Sequence, residues 1–289
     1  MARIREPHRR TALLLAIIPL ALGAAAGCTE TAAASGLRPA PEAAGGDRGR
    51  VFRDGCLVDQ RSRATRRCVY GSHSRVTVVL FGDSEAMQFF PPLLRVVRAS
   101  GWRLVTRLRA GCTPAAIKFS HRCDHWRDRT LRLIARRDRP NLVVVTGGVA
   151  YRAIRDGRRL SSRRSAPWLR RGYARTLRRL RRSGARVAVI KDTPRSPRHI
   201  PDCVVQHLDE PGRCSFSRRQ PTNRIFDLRA ARLVRGATLL DPTPVVCPGR
   251  SCPAVKGDVL VYRDAVHFTA TFAAELTGWL RSRLPRPAR

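Results

Sequence analysis

The chain has 289 residues, 57 of them Lys or Arg against 21 Asp or Glu, for a net charge of +36. Past the first 50 residues about 240 remain, which suits one domain of ordinary to large size. Beyond one N-terminal apolar run no segment approaches the stretch of ~18 apolar residues that a further membrane helix needs, so a multi-span membrane protein is excluded. The charge attracts polyanions. Arginine so outnumbers lysine, which stands only at Lys118, Lys191 and Lys256, that a general bias towards arginine accounts for the charge equally well. Charge alone therefore identifies no ligand.

Residues 1–27 read as an export signal. Arg3, Arg5, Arg9 and Arg10 form a positive start, and the uncharged run TALLLAIIPLALGAAAG follows and ends in small residues. Without this segment the chain still carries +33. Ala25-Ala26-Gly27-Cys28 looks like a bacterial lipobox, in which Cys28 is lipidated, although Ala25 departs from the usual Leu and leaves simple cleavage as the alternative. Residues 28–50 are rich in Ala, Gly and Pro and are expected to form a flexible tether to a domain spanning 51–289. Outside the cytoplasm the relevant polyanions are acidic glycans, wall polymers and lipid head groups, and nucleic acid is not an expected partner.

The remaining eight cysteines fall in close pairs, Cys56 and Cys68, Cys112 and Cys123, Cys203 and Cys214, Cys247 and Cys252. Local closure is the simplest of the pairings open to them, each bridge contributing ~2 to 4 kcal/mol. His121, Cys123 and His125 in HRCDHW offer zinc binding as the alternative, but the chain has no CxxC pair. No cofactor is expected.

Short β-branched or apolar runs at 75–81, 102–108, 141–147, 185–191 and 237–241 read as strands. Residues 86–100, 124–138, 167–183, 222–235 and 269–283 show helical spacing; in the third, Leu169, Tyr173, Leu177 and Leu180 form one apolar stripe. This alternation predicts a central, mostly parallel five-stranded sheet with helices on both faces. The cysteine-bearing segment 192–221 reads as an elaborated surface loop. Ligands of such sheets bind beyond the carboxyl ends of the strands, where Gly82-Asp83-Ser84 follows the first strand.

A serine hydroxyl becomes a useful nucleophile when a base takes its proton and a third group orients that base. Asp264 and His267, in YRDAVHFT before the last helix, supply such a pair, and the strand order lets the two chain ends meet. Gly-Asp-Ser on its own is equally a helix cap, and DxxH is common, so the combination carries the inference.

With these motifs the sequence resembles the SGNH or GDSL hydrolases, and most of all the branch found as the extracytoplasmic domain of membrane acyltransferases that O-acylate surface glycans. The resemblance spans roughly residues 54–284 and rests on LFGDSEA, AGCTPA, CDHW, LVVVTGG, VAVIKDTPR with PDC, the late cysteine pair and YRDAVHFT. It implies a three-layer α/β/α sandwich, Ser84 as nucleophile, His267 as general base and Asp264 as its orienting acid. It also implies an oxyanion hole from the backbone N–H of Ser84 and Gly111, and an Asn after the third strand. Here Thr146-Gly147-Gly148-Val149 has no Asn, and Gly147 or Gly148 is left to contribute a backbone N–H. Glu85 stands where that branch commonly has His, and is expected to favour the helix start or to alter substrate contact.

The resulting expectation is an extracytoplasmic serine esterase or acyltransferase acting on O-acyl groups, chiefly acetyl, of envelope carbohydrate. Related two-part enzymes receive acyl groups from a membrane domain; none lies within this sequence, which leans the expectation towards hydrolysis unless a separate membrane protein is the donor. The alternative is a non-catalytic basic lipoprotein of the same fold that binds acidic glycan.

Overall fold

The computed structural model describes residues 36–219 and 226–289. The export signal, the lipidation candidate Cys28 and the start of the tether lie outside the described residues. So do residues 222–225 of the fourth expected helix.

Among the described residues the sheet has seven strands: β1 Leu57–Val58, β2 Cys68–Gly71, β3 Thr77–Gly82, β4 Arg103–Arg109, β5 Leu142–Thr146, β6 Arg186–Ile190 and β7 Ala237–Leu240. Their order is β1-β4-β3-β5-β6-β7, with β2 also on β4. Every pairing is parallel except β2 with β4. The five expected strands are β3 to β7, and the count of five is corrected to seven. β1 and β2 share one edge of β4, β2 lying against Arg103–Thr106 and β1 against Leu108–Arg109. Runs of two and four residues are too short for periodicity to reveal, and the Cys56–Cys68 bridge ties them together.

The helices are α1 Arg50–Arg53, α2 Ser84–Met87, α3 Phe90–Ala99, α4 His121–Leu133, α5 Ser162–Arg181, α6 Ile200–Val205, α7 Phe226–Arg232, α8 Thr243–Val246, α9 Ala270–Glu275 and α10 Thr277–Arg283. Alternation along the buried strands divides the core in two. Val78, Leu80, Leu142 and Val144 meet Phe89, Leu93 and Val97 of the α3 region and Phe272 and Leu280 of α9 and α10. Val79, Phe81, Val143 and Val145 meet Trp126 of α4 and the Leu169, Tyr173, Leu177 and Leu180 stripe of α5. The result is a three-layer α/β/α sandwich.

Two helices differ from their expected bounds for local reasons. The first splits into α2 and α3 because Pro91 and Pro92 lack the N–H that a continuous helix requires, and a new helix starts with them in its first turn. α5 starts at Ser162 rather than 167: Ser161 Oγ accepts from Arg164 N–H at 3.3 Å, and Pro167 lies inside the helix.

Residues 36–50, expected as part of the tether, are instead packed on the domain. Arg38 N–H donates to Asp258 O (2.7 Å), Leu260 N–H donates to Arg38 O (3.0 Å), and Ala44 is fully buried. Asp47 accepts from the first N–H groups of α9, through its carbonyl from Ala270 (2.9 Å) and through Oδ2 from Thr271 (2.9 Å). Small apolar residues suit a tight seat against a core as well as they suit a linker, and composition cannot separate the two.

Segment 192–221 is likewise more than surface. Ile200, Val204, Cys214 and Phe216 are buried in the core, and Phe216–Ser217 pairs with Ser251–Cys252. On the other side of the sheet, Arg107 of β4 is buried and grips Asp138 with two hydrogen bonds, Nε to Oδ2 (2.8 Å) and Nη2 to Oδ1 (2.9 Å), while Arg67 Nε donates to Oδ1 at 2.9 Å.

Candidate active site

β3 lies between β4 and β5, with Gly82 opposite Leu108 and Thr146. A side chain at Gly82 would collide with the Thr146 carbonyl oxygen and sit 2.8 Å from Ala86 Cβ, so only glycine lets the chain turn here. Asp83 then caps α2, its Oδ1 accepting from Glu85 N–H at 2.9 Å. Its Oδ2 accepts from Gly148 N–H (2.9 Å) and from Tyr151 Oη–H (2.6 Å). One carboxylate thus joins the helix start to the loop after β5. Burial raises the Asp83 carboxyl to about 6, against the lowering effect of those three hydrogen bonds.

Ser84 is the first residue of α2, and its Oγ lies 2.9 Å from His267 Nε2. His267 Nδ1 lies 2.8 Å from Asp264 Oδ2. The loop that presents this pair is closed on itself: Asp264 Oδ1 accepts from the N–H groups of Val266 and His267 at 2.7 Å each, and Arg263 N–H donates to His267 O at 2.9 Å. Burial works to raise the Asp264 carboxyl, but the hydrogen bond and charge of His267 and the two N–H donors hold it well below the usual range. Segment 192–196 braces the loop from outside, Ser196 N–H donating to Ala265 O (2.8 Å) and Thr193 Oγ1 to Val266 O (3.0 Å). The structure therefore brings Ser84, His267 and Asp264 into one hydrogen-bonded line.

Gly111 and Gly147 follow β4 and β5, the strands flanking β3. Gly111 has φ +61°, and Gly147 packs so closely on Pro114 and the Tyr173 hydroxyl that a side chain would clash. Gly148, the other glycine considered for the oxyanion, has its N–H on Asp83.

Glu85 lies in the first turn of α2, at the helix start where it was expected, but the cap itself is Asp83 and the Glu85 side chain turns inward with 2 % exposure. Its Oε2 accepts from Gln88 Nε2 (2.5 Å), and its Oε1 lies 3.2 Å from Arg195 Nη2 and 3.6 Å from His267 Nε2. Gln88 Oε1 in turn accepts from Phe268 N–H at 2.7 Å. Asp192 Oδ2 accepts from Val149 N–H (2.8 Å) and lies 3.3 Å from Arg195 Nη2. Burial, and next the charge of Asp192, raise the Glu85 carboxyl well above its ordinary range. Burial lowers Arg195, but Asp192 and Glu85 more than offset this and keep it cationic. Motif reading missed Gln88, Tyr151, Asp192 and Arg195; the one available signal was KDTPR at the end of β6.

The four disulfides join Cys56–Cys68, Cys112–Cys123, Cys203–Cys214 and Cys247–Cys252. Cys123 is thereby committed, which removes the thiolate from the His121-Cys123-His125 zinc alternative. Cys203, His207 and Cys214 also cluster, with both sulfurs in the bridge. Among the described residues no helix is long and apolar enough to cross a membrane.

Residues 55–280 match the family model described as SGNH domain (fused to AT3 domains). No curated protein matches the chain. Among solved structures, it is similar to the periplasmic domain of a lipopolysaccharide acetyltransferase of Salmonella ser. Paratyphi A, with TM-score 0.55 and 13 % identity over 74 % of this chain and 85 % of that one. TesA gives TM-score 0.41 and 18 % identity (72 % and 97 % covered), and the acetyl xylan esterase AlAXEase 0.40 and 14 % (73 % and 100 %).

Proposed function

This chain belongs to the SGNH domain family, a family of ester hydrolases and acyltransferases, and from that premise we propose that it is an extracytoplasmic serine esterase or acyltransferase acting on O-acetyl groups of envelope carbohydrate. The observation that carries the reading is the contact of Ser84 Oγ with His267 Nε2 at 2.9 Å, with Asp264 behind the ring at 2.8 Å. Asp264, held anionic, accepts from Nδ1–H and leaves Nε2 unprotonated to take the Ser84 proton. Oγ attacks the ester carbonyl, and the N–H groups of Ser84, Gly111 and Gly147 receive the oxyanion. Collapse gives the acyl-enzyme, and the departing sugar alcohol takes the proton from Nε2. Water or a second sugar hydroxyl then attacks the acyl carbon as His267 Nε2 takes its proton, the bond to Ser84 Oγ breaks, and Nε2 returns the proton to Oγ, which gives hydrolysis or transfer.

Four disulfides support an oxidising, extracytoplasmic location, as does the likeness to a periplasmic domain. Anchoring through a lipid on Cys28 is part of the proposal. If acyl groups come from a membrane protein, that protein is the partner.

A second reading, glycan binding without turnover, draws on the Asn missing after β5 and on Gly148 N–H being bound to Asp83. Fluorophosphonate labelling separates the two. Turnover requires a covalent adduct on Ser84, absent in Ser84→Ala and weakened in His267→Ala, together with acetate release from acetylated envelope glycan. A folded wild-type protein that takes no label and releases no acetate sinks the enzymatic reading.

A further inference from the structure

A groove of about 560 Å³ lies between α3 and α9, the helices that follow Ser84 and His267 in the chain, and its lining includes neither of those two residues. Its lining comes from α3 and α9, with Arg50 and Arg53 of α1 and Arg38, Asp47 and Gly49 before it. It begins at Phe90 and Ala270, six residues beyond Ser84 and three beyond His267, and reaches Arg98 and Glu275. From Phe90 to Arg98 an α-helix rises ~12 Å.

Five arginines from three separate stretches of chain converge on this groove: Arg38, the pair Arg50 and Arg53 on α1, and the pair Arg95 and Arg98 on α3. Among the described residues that line it, Asp47 and Glu275 oppose them, and Asp47 is engaged in holding the start of α9. Arg38 and Arg50 are paired with Asp258 and Asp54. Among the described residues, no carboxylate lies within ion-pair distance of Arg53, Arg95 or Arg98. Between the guanidinium groups the floor is apolar, made by Pro91, Leu94 and Ala274.

We propose that this groove binds a strand of acidic polysaccharide and delivers its esters to Ser84, so that the substrate is a carboxylate-bearing glycan. The proposal rests on the esterase or acyltransferase reading of the site and narrows its substrate. An apolar floor accepts the C–H faces of sugar rings while the arginines meet the acidic groups on either side. A membrane surface would call for protruding apolar side chains, and these charges line a concavity. A single-stranded nucleic acid would call for exposed aromatic faces on which bases stack; the aromatic ring in the lining, Phe90, is 1 % exposed, and the ring of Phe52 on α1 is covered by the Arg48 guanidinium, 4.7 Å from its centroid.

The test uses the Ser84→Ala protein, polygalacturonate as the acidic probe and dextran as the neutral one, with binding followed by calorimetry across a salt series. Polygalacturonate should bind and dextran should not. The triple variant Arg53→Glu, Arg95→Glu, Arg98→Glu should weaken binding at least tenfold. A second triple, Arg129→Glu, Arg132→Glu, Arg136→Glu, makes the same charge change on the far layer and should weaken it less than threefold. Circular dichroism checks that both triples fold. Equal losses in the two triples, or equal binding of dextran, would overturn the groove. Because Ser84 is absent and the probe undergoes no chemistry, that failure leaves the esterase reading standing, while an unreactive wild-type protein would sink the esterase reading and leave the binding result intact.

Discussion

Two buried groups of charges sit in this molecule and are built on different principles. On the α4 side of the sheet, Asp138 receives a two-pronged bond from Arg107 and a third from Arg67, so one acid meets two cations and every bond is short and direct. At the strand ends Glu85 and Asp192 both lie against Arg195, with Asp83 two residues before Glu85, and burial raises Asp83 and Glu85 instead of leaving them as settled anions. The first arrangement is saturated, and its location beside a strand away from Ser84 marks it as scaffold. In the second, acids raised by burial stand next to the Ser84–His267 contact, which is costly for folding and useful for placing protons. The geometry of the bonds to each acid separates the two groups better than burial does, since both are buried.

The largest expected break in this comparison comes at the saturated end. Asp138→Ala leaves Arg107, whose side chain is 2 % exposed, as an uncompensated buried cation, and such a loss typically costs ~3 to 5 kcal/mol. Urea unfolding should show it, while the fraction that remains folded keeps its labelling by fluorophosphonate. A variant as stable as the parent would mean that the buried pair contributes nothing.

At the crowded end the expected signature is a pH slope. Asp83 titrates at about 6 in the folded protein against an ordinary 3.8, so between those values the folded state holds more proton than the unfolded chain. Stability is therefore greatest below pH 3.8 as far as this group is concerned, and falls as pH rises to about 6. A shift of roughly two units corresponds to ~3 kcal/mol. Asp83→Asn cannot titrate, so the difference in unfolding free energy between parent and variant should shrink by about that amount from pH 4 to pH 6.5. Parallel stability curves for the two proteins would show that Asp83 is an ordinary surface-like acid.

What sequence could disclose follows the same division. Gly82-Asp83-Ser84 was legible because a continuous apolar strand ends there and a cap begins a helix, and Asp264 and His267 were legible because their three-residue step is local. Near cysteines closed near loops. Glu85 and Arg195, in contrast, are brought together by the packing of the β6 loop against α2, across 110 positions of chain, and charged residues default to solvent unless a partner at that distance is known. Residues 36–50 were misread because Ala44 and Pro41 have the composition of a linker, and only the site they occupy distinguishes the two. The split of α2 from α3 was written in Pro91 and Pro92, yet the apolar spacing continues through it and hides the break.

That split sharpens the comparison most finely, because it frees Gln88 from a continuous helix to link the two ends of the site. Gln88 donates to Glu85 Oε2 and accepts from Phe268 N–H, the residue next to His267. In Gln88→Ala both partners lose their bonds inside the core, and an unsatisfied buried group costs ~1 to 3 kcal/mol. Some of that cost should appear as a drift of the imidazole, lowering kcat about tenfold with KM little changed. Gln88→Glu tells positioning apart from simple destabilisation. Its carboxyl, when protonated, offers the same acceptor and donor as the amide; when ionised, it adds a fourth acid beside Glu85. Activity of Gln88→Glu relative to the parent should therefore rise as pH is lowered from 8 to 6, whereas the ratio for Gln88→Ala stays flat. Flat ratios for both variants would reduce Gln88 to packing.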